Sequence, residues 1–314
     1  MKVLLFTHKN DIDGMGSAIL AKLAFNEADY VLCATFELQR EIARYLDSGK
    51  IYDYDMIFVT DLWLEEPMFS RIAADEQLTD KFFIFDHHKS SFEHNHVAPF
   101  DIILKVSDEN GLCCGTSLFY EFLIDNNYLA SFNMDQDFVE LTRQHDTWEW
   151  KTKYNNEKAR DLSILFDALG AHDYINEMYA KMSADDVDNA FKFDEYESVL
   201  IENRKKIIAE NVKIYAETLI YKEIMGLKAG ITFGNYEFRN ELGEYLREQN
   251  FDIDFLMVIS LDRKTISYRS IKDGVNVRNV AVAFGGKGHD KAATNPITDE
   301  KMEAIINILF NKIS

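Results

Sequence analysis

The chain opens on a strand-like stretch at residues 2–7 with an unbroken apolar run at 3–6, then breaks into the polar string His8-Lys9-Asn10-Asp11-Ile12-Asp13-Gly14. The same figure returns twice. Met56-Ile57-Phe58-Val59-Thr60 ends in Asp61, and Phe82-Phe83-Ile84-Phe85 ends in Asp86-His87-His88. Continuous apolar runs of this length fit strands buried on both faces, as in a parallel sheet. Between them the spacing turns helical: Ile19, Leu20 and Leu23 predict a helix over 16–26, and residues 38–46 predict a second. A third spans 65–76, with Pro67 tolerated in its first turn. Residues 30–34 and 102–106 read as further strands, 115–125 and 138–144 as helices, and 160–182 and 193–219 as long helices. Strand and helix alternate, which predicts an α/β fold built on a parallel, doubly wound sheet.

Beyond residue 219 the pattern starts afresh, with strands at 228–233, 255–261 and 265–269 and a helix over 238–248. This predicts a smaller α/β C-terminal domain at 220–314, joined to a first domain at 1–190 by a helical linker at 191–219. A length of 314 residues suits two domains.

Charge narrows the partners. The net charge is −20, with −19 carried by residues 1–215 and −1 by residues 216–314. Such a body does not coat long nucleic acid, which needs a broad basic surface. Seven Lys or Arg fall within 263–291 against Asp273 and Asp290, a local basic cluster suited to a short anion. Three cysteines without metal-ribbon spacing, and no membrane-length apolar run, predict a cytoplasmic protein with its cysteines in the core.

In open α/β sheets ligands sit beyond the carboxyl ends of the strands. Asp11, Asp13, Asp61, Asp86, His87 and His88 therefore converge at one edge. Each stretch alone is equally well a turn or a cap, but three strand ends of the same kind are not. Carboxylates gathered there repel one another unless cations neutralise them. Gly115-Thr116-Ser117 opens a helix with a hydroxyl to cap it or meet a phosphate. His145-Asp146, taken alone, is a solvated pair at a helix end, and Trp148 and Trp150 read as packing residues. In Gly285-Gly286-Lys287-Gly288-His289, glycines let the backbone approach an anion, and the following alanines can start a helix whose N-terminus favours phosphate.

With these residues assembled, the chain resembles the DHH phosphoesterase superfamily over essentially its whole length. Asp86-His87-His88 is the signature triplet. Asp11-Ile12-Asp13-Gly14 is similar to the first motif, Thr60-Asp61 to the second and His145-Asp146-Thr147 to the fourth. Ser267-Tyr268-Arg269-Ser270 and Gly285-Gly286-Lys287-Gly288-His289 resemble the DHH-associated substrate domain, whose usual form is GGGH followed by AAG. Three departures stand out: His8 lies three residues before Asp11 where four is common, Lys287 replaces a third glycine, and Thr294 replaces the glycine after two alanines.

The resemblance implies two divalent ions, usually manganese, with magnesium or cobalt as substitutes. Asp11 with His8 would hold the first ion and Asp13, His87 and Asp146 the second, with Asp61 bridging both. Asp86 would orient an imidazole, and His88 would face the substrate phosphate or leaving group. Arg269, Ser270, Gly285, Gly286, Lys287, Gly288 and His289 would bind substrate. The expected activity is hydrolysis of short RNA or DNA oligonucleotides to mononucleotides, as in the oligoribonuclease-like members. The alternatives are a phosphatase on 3′-phosphoadenosine phosphate, a phosphodiesterase on cyclic or linear dinucleotides, and, from another class, a non-catalytic nucleotide-binding regulator. No membrane or long nucleic acid is expected as a partner, and the sequence leaves room for a homodimer.

Overall fold

The structure, a computed structural model, describes all residues except 94–97, 110, 185–188 and 311–314. The chain divides into two compact units, Met1–Arg204 and Lys205–Ser314.

The first unit runs β1 (Lys2–His8), α1 (Ile12–Ala24), β2 (Glu27–Cys33), α2 (Leu38–Asp47), β3 (Met56–Thr60), α3 (Glu66–Ala73), the short α4 (Glu76–Thr79), β4 (Phe82–Asp86) and β5 (Asp101–Leu104). Helices α5 (Gly115–Asp125), α6 (Asn133–Asp146), α7 (Glu157–Leu169) and α8 (Ala171–Met182) follow. All five strands are parallel, in the order β2-β1-β3-β4-β5. Alternate residues of the buried strands feed two cores, as a period of two requires. Leu4, Phe6, Ile57, Val59, Phe82 and Ile84 pack with α2 and α3 on one face. Phe58 and Phe85 turn the other way and meet Phe119 of α5 at ring separations of 5.0 and 5.3 Å.

Several boundaries differ from the sequence expectations. Helix α1 begins at Ile12 rather than Gly16, because Asp11 caps it by accepting from the Gly14 N–H at 3.1 Å. The helix expected over 65–76 ends at Ala73, and Glu76 starts a separate turn capped by Asp75. The single helix expected over 160–182 is two, broken at Gly170 with φ +76°. Helix α6 runs on to Asp146, so the fourth motif lies in its last turn.

Helix α9 (Glu195–Glu217) contains the boundary between the units. The second unit holds β6 (Ile220–Ile224), β7 (Leu227–Phe233), α10 (Arg239–Glu248), β8 (Phe255–Ser260), β9 (Thr265–Ser270), α11 (Val277–Ala283), β10 (Lys287–Gly288), β11 (Ala292–Pro296) and α12 (Asp299–Phe310). Its sheet order is β10-β11-β9-β8-β7-β6, mixed, with β7–β8 the one parallel pair. Ala292 and Ala293 lie in β11 and not at the start of a helix. They pair with Arg269 and Tyr268, which gives the segment a ladder in place of the expected helix N-terminus. The three cysteines are free and buried. Among the described residues no helix is long and apolar enough to cross a membrane.

Candidate metal centre

Each acid or imidazole of the site stands where an apolar strand or an amphipathic helix ends. His8 closes β1, Asp11 caps α1, Asp13 sits in its first turn, Asp61 follows β3 and Asp86 ends β4. The structure brings them together in three overlapping groups: His8, Asp11 and Asp61; Asp13, His87 and Asp146; and Asp61, Asp86, His87 and His88.

Asp61 is the shared member. Its Oδ2 lies 3.3 Å from His8 Nδ1 and its Oδ1 lies 3.3 Å from His87 Nε2. Its φ of +57° turns the carboxylate in against the next strand, and its N–H donates to the Phe85 carbonyl at 2.9 Å. Burial penalises the Asp61 charge, but the His8 and His87 imidazoles beside it hold its carboxyl well below the usual range.

Asp11 divides its two oxygens, Oδ1 capping α1 and Oδ2 lying 2.6 Å from His8 Nδ1. Burial opposes charge on His8, yet Asp11 and Asp61 outweigh it and push the imidazole up to about 10. Asp13 is buried and accepts from the Gly115 and Thr116 N–H groups, both at 2.7 Å. Those two N–H groups open α5, whose positive end favours the carboxylate. Even so, burial and then the neighbouring Asp61 raise Asp13 to about 6, against the pull of His87.

His87 Nε2 lies 3.5 Å from Asp146 and 3.9 Å from Asp13, in addition to Asp61, and forms no aligned hydrogen bond with any of them. Burial lowers its basicity, but Asp61, Asp146 and Asp13 carry it to about 10. Asp146 Oδ2 is likewise buried without a hydrogen-bond partner, and burial followed by Asp13 raises its carboxyl well above the usual range. A ring nitrogen and carboxylate oxygens aimed at a common point, without bonding one another, are arranged as ligands of a cation are. The set is oxygen and imidazole without thiolate, since burial and Asp13 keep the nearby Cys114 protonated. That fits a hard divalent ion such as manganese better than zinc in a thiolate site.

Asp86 is different. It is fully buried, its Oδ1 accepts from the His87 and His88 N–H groups and faces His88 Nδ1 at 2.8 Å, and its Oδ2 accepts from the Ser91 hydroxyl. With its oxygens so occupied, Asp86 positions His88. The hydrogen bond to Asp86 raises His88 to about 8 and leaves its other ring nitrogen for an incoming group.

Several supporting residues carried no motif. Ser91 fixes Asp86. Thr60 Oγ donates to Thr7 Oγ at 2.7 Å and Thr7 Oγ to the Gly14 carbonyl at 3.0 Å, tying β3, β1 and α1 together beneath the site. A threonine closing each of two apolar strands was the visible signal. Arg143 grips Glu140, Glu149 and the Leu112 carbonyl, bracing the end of α6 that carries Asp146. The Thr116 hydroxyl, a candidate for phosphate, instead donates to the Asp13 carbonyl and is buried. His145 is half-buried, and burial followed by Arg160 lowers it to about 4. Trp150 is buried as expected, whereas Trp148 is exposed.

In the second unit, Arg269 Nε donates to Asn240 Oδ1 at 2.9 Å, near the start of α10, and burial followed by Arg239 lowers its guanidinium to about 10. Gly286 and Gly288 have a packing reason, since added Cβ atoms would lie 2.3 Å from the Thr294 carbonyl and 2.4 Å from Ala293 Cα. Gly285, Lys287 and His289 are exposed on the same loop. Ser270 is buried and its hydroxyl donates to the Lys272 carbonyl at 2.9 Å, a turn contact rather than an open one.

The N-terminal domain of the DHH family matches residues 2–143, a span holding every site residue of the first unit except Asp146. Oligoribonuclease NrnB of Bacillus subtilis strain 168 is 30% identical over 312 residues, covering 98% of this chain and 75% of that protein. Among solved structures, RecJ of Thermus thermophilus in complex with Mn2+ superposes with a TM-score of 0.63 at 11% identity, covering 97% of this chain and 51% of that one. The pGpG-specific phosphodiesterase PggH of Vibrio cholerae gives 0.53 at 14% identity, covering 98% and 97%. At such identities the two structures speak for the fold alone. The length and identity of the match to the Bacillus protein, together with the domain match that ends only three residues short of Asp146, make this chain a member of the DHH family of phosphoesterases.

Proposed function

We propose that the protein is a two-metal phosphodiesterase that degrades short oligonucleotides to 5′-mononucleotides with manganese. The observation that carries this reading is Asp61, one carboxylate with an oxygen turned to each of two imidazoles, each backed by further acids. His8 and Asp11 would hold one ion, Asp13, His87 and Asp146 the other, and Asp61 would contact both. Bound divalent ions supply Lewis-acid charge that polarises a phosphoryl oxygen and activates water for attack. The carboxylates and imidazoles that gather them are prearranged, so little reorganisation accompanies the reaction.

His88 is the candidate for proton transfer. Asp86 holds its Nδ1, so its other ring nitrogen would face the substrate phosphate or leaving group and could pass a proton to the departing oxygen. Arg269, Gly286, Gly288 and His289 would take the terminal phosphate or nucleotide. Similarity to an oligoribonuclease and the acidic body both support a short substrate over a long strand.

The test is a panel of short RNA and DNA, 3′-phosphoadenosine phosphate, cyclic dinucleotides and pyrophosphate, each assayed with manganese and with chelator. A five-nucleotide RNA is expected to yield 5′-mononucleotides with manganese and nothing with chelator. Pyrophosphate or 3′-phosphoadenosine phosphate consumed in preference to every oligonucleotide would overturn the substrate class.

A further inference from the structure

Phe36 stands in the turn between β2 and α2 with 79% of its surface exposed, more than any other aromatic among the described residues. It takes no part in the neighbouring core. The turn that carries it is firmly held. Glu37 accepts from the Ala34 N–H at 2.8 Å and from Lys9 Nζ at 2.6 Å, and the Lys9 N–H donates to the Cys33 carbonyl at 3.0 Å. Cys33 is paired with His8 across β1 and β2, so the turn starts one strand spacing, about 4.8 Å, from a residue of the metal centre. An exposed phenylalanine is not by itself notable. One fixed on a braced turn at the carboxyl edge of the sheet, tied to Lys9 next to His8, is placed to receive a flat apolar face. A nucleobase offers such a face, and stacking on an aromatic ring tolerates any base.

Resting on the phosphodiesterase reading, we infer that Phe36 stacks on a nucleobase flanking the scissile phosphate. The enzyme then selects a nucleotide over a bare phosphodiester at its metal centre. The neighbouring charges Lys9 and Arg40 both pair with Glu37.

The experiment compares adenylyl-adenosine with the same dinucleotide lacking both bases, with manganese. Stacking lost in Phe36→Ala lowers kcat/KM on the base-bearing substrate by about 5- to 150-fold. Cleavage of the abasic substrate stays within about twofold, and Phe36→Trp restores the base-bearing rate. An unchanged ratio between the two substrates in Phe36→Ala overturns the inference. If the wild-type protein cleaves neither substrate, the phosphodiesterase reading fails, and binding then decides the stacking. Adenosine 5′-monophosphate is expected to quench the indole emission of Phe36→Trp beyond that of wild type, while ribose 5-phosphate does not. No added quench overturns the stacking.

Discussion

Replacing Asp146 by asparagine separates what the metal centre needs from what the fold needs. Asp146 shares its pocket with Asp13 and Asp61, its Oδ2 lacks a hydrogen-bond partner, and burial with those charges raises its carboxyl well above the usual range. Asparagine keeps the shape and removes one of the clustered charges. Asp13 sets the scale: its rise from 3.8 to about 6 corresponds to about 3 kcal/mol, of which burial is the largest part. Relief of the share due to one neighbour is on the order of 1 kcal/mol, or about 2–4 °C in melting temperature for a unit of this size. In chelator at pH 8, Asp146→Asn is therefore expected to melt above wild type. A carboxyl raised in the fold stabilises the native state below its unfolded value, and that contribution is lost as pH rises through the folded one. The advantage should therefore vanish near pH 4. Manganese at about 100 times its Kd adds about 2.7 kcal/mol to wild type and less to the variant, which reverses the order. Calorimetric melts with and without chelator measure all of this. A variant less stable than wild type in chelator at pH 8, or an equal manganese shift in both, would refute the claim that these acids are held together for a cation.

Three further perturbations probe the scaffold. Gly115→Ala places a Cβ 2.9 Å from Asp61 Cβ and 3.0 Å from Asp13 Oδ2, and kcat/KM should fall by about 100-fold through displaced ligands, measured on the five-nucleotide RNA. Ser91→Ala leaves Asp86 Oδ2 buried without its donor, which is expected to cost about 1–3 kcal/mol in urea unfolding and to lower kcat more than it raises KM. Asp135, 2% exposed on the first turn of α6 with Oδ1 unpartnered, is raised by burial to about 6. Asp135→Asn should therefore unfold at higher urea than wild type at pH 7.5, by up to about 3 kcal/mol, and at the same urea at pH 4. Equal midpoints at pH 7.5 would place that carboxyl in contact with water.

The parts of this architecture legible in the sequence were those set by one local rule. Apolar runs such as Phe82–Phe85 admit little but a strand buried on both faces, and each named the acid at its end. The start of α1 was missed because Asp11 serves as cap and site residue at once, and polar residues after a strand read as loop. Ala292-Ala293 misled for a different reason. Alanine favours helix intrinsically, but pairing with β9 and contact with Gly288 override that preference. Ser91 and Arg143 carried no signal as site residues because a serine after a strand or an arginine on a helix is ordinary until the fold shows what it grips, whereas the two strand-end threonines were visible without showing that they bond each other. Asp146 could be tied to His87 only by resemblance; helical periodicity places it at a helix end and says nothing of what it faces.

The centre imposes its cost on backbone as well as charge, and the apolar strands beneath it are what make both tolerable. Asp61 adopts a left-handed conformation that disfavours residues other than glycine, at about 1–3 kcal/mol. Its N–H nevertheless bonds the Phe85 carbonyl, and Gly115 approaches so closely that the turn has no room to relax. Phe58, three residues before it, and Phe85 pack on Phe119, each buried ring contributing about 1.5–3 kcal/mol. The strained residue is thus clamped at the end of a strand whose burial exceeds the strain. A glycine at position 61 would relieve the backbone and abolish the bridge between the two imidazoles, so the site needs an acid in a conformation glycine would adopt more readily.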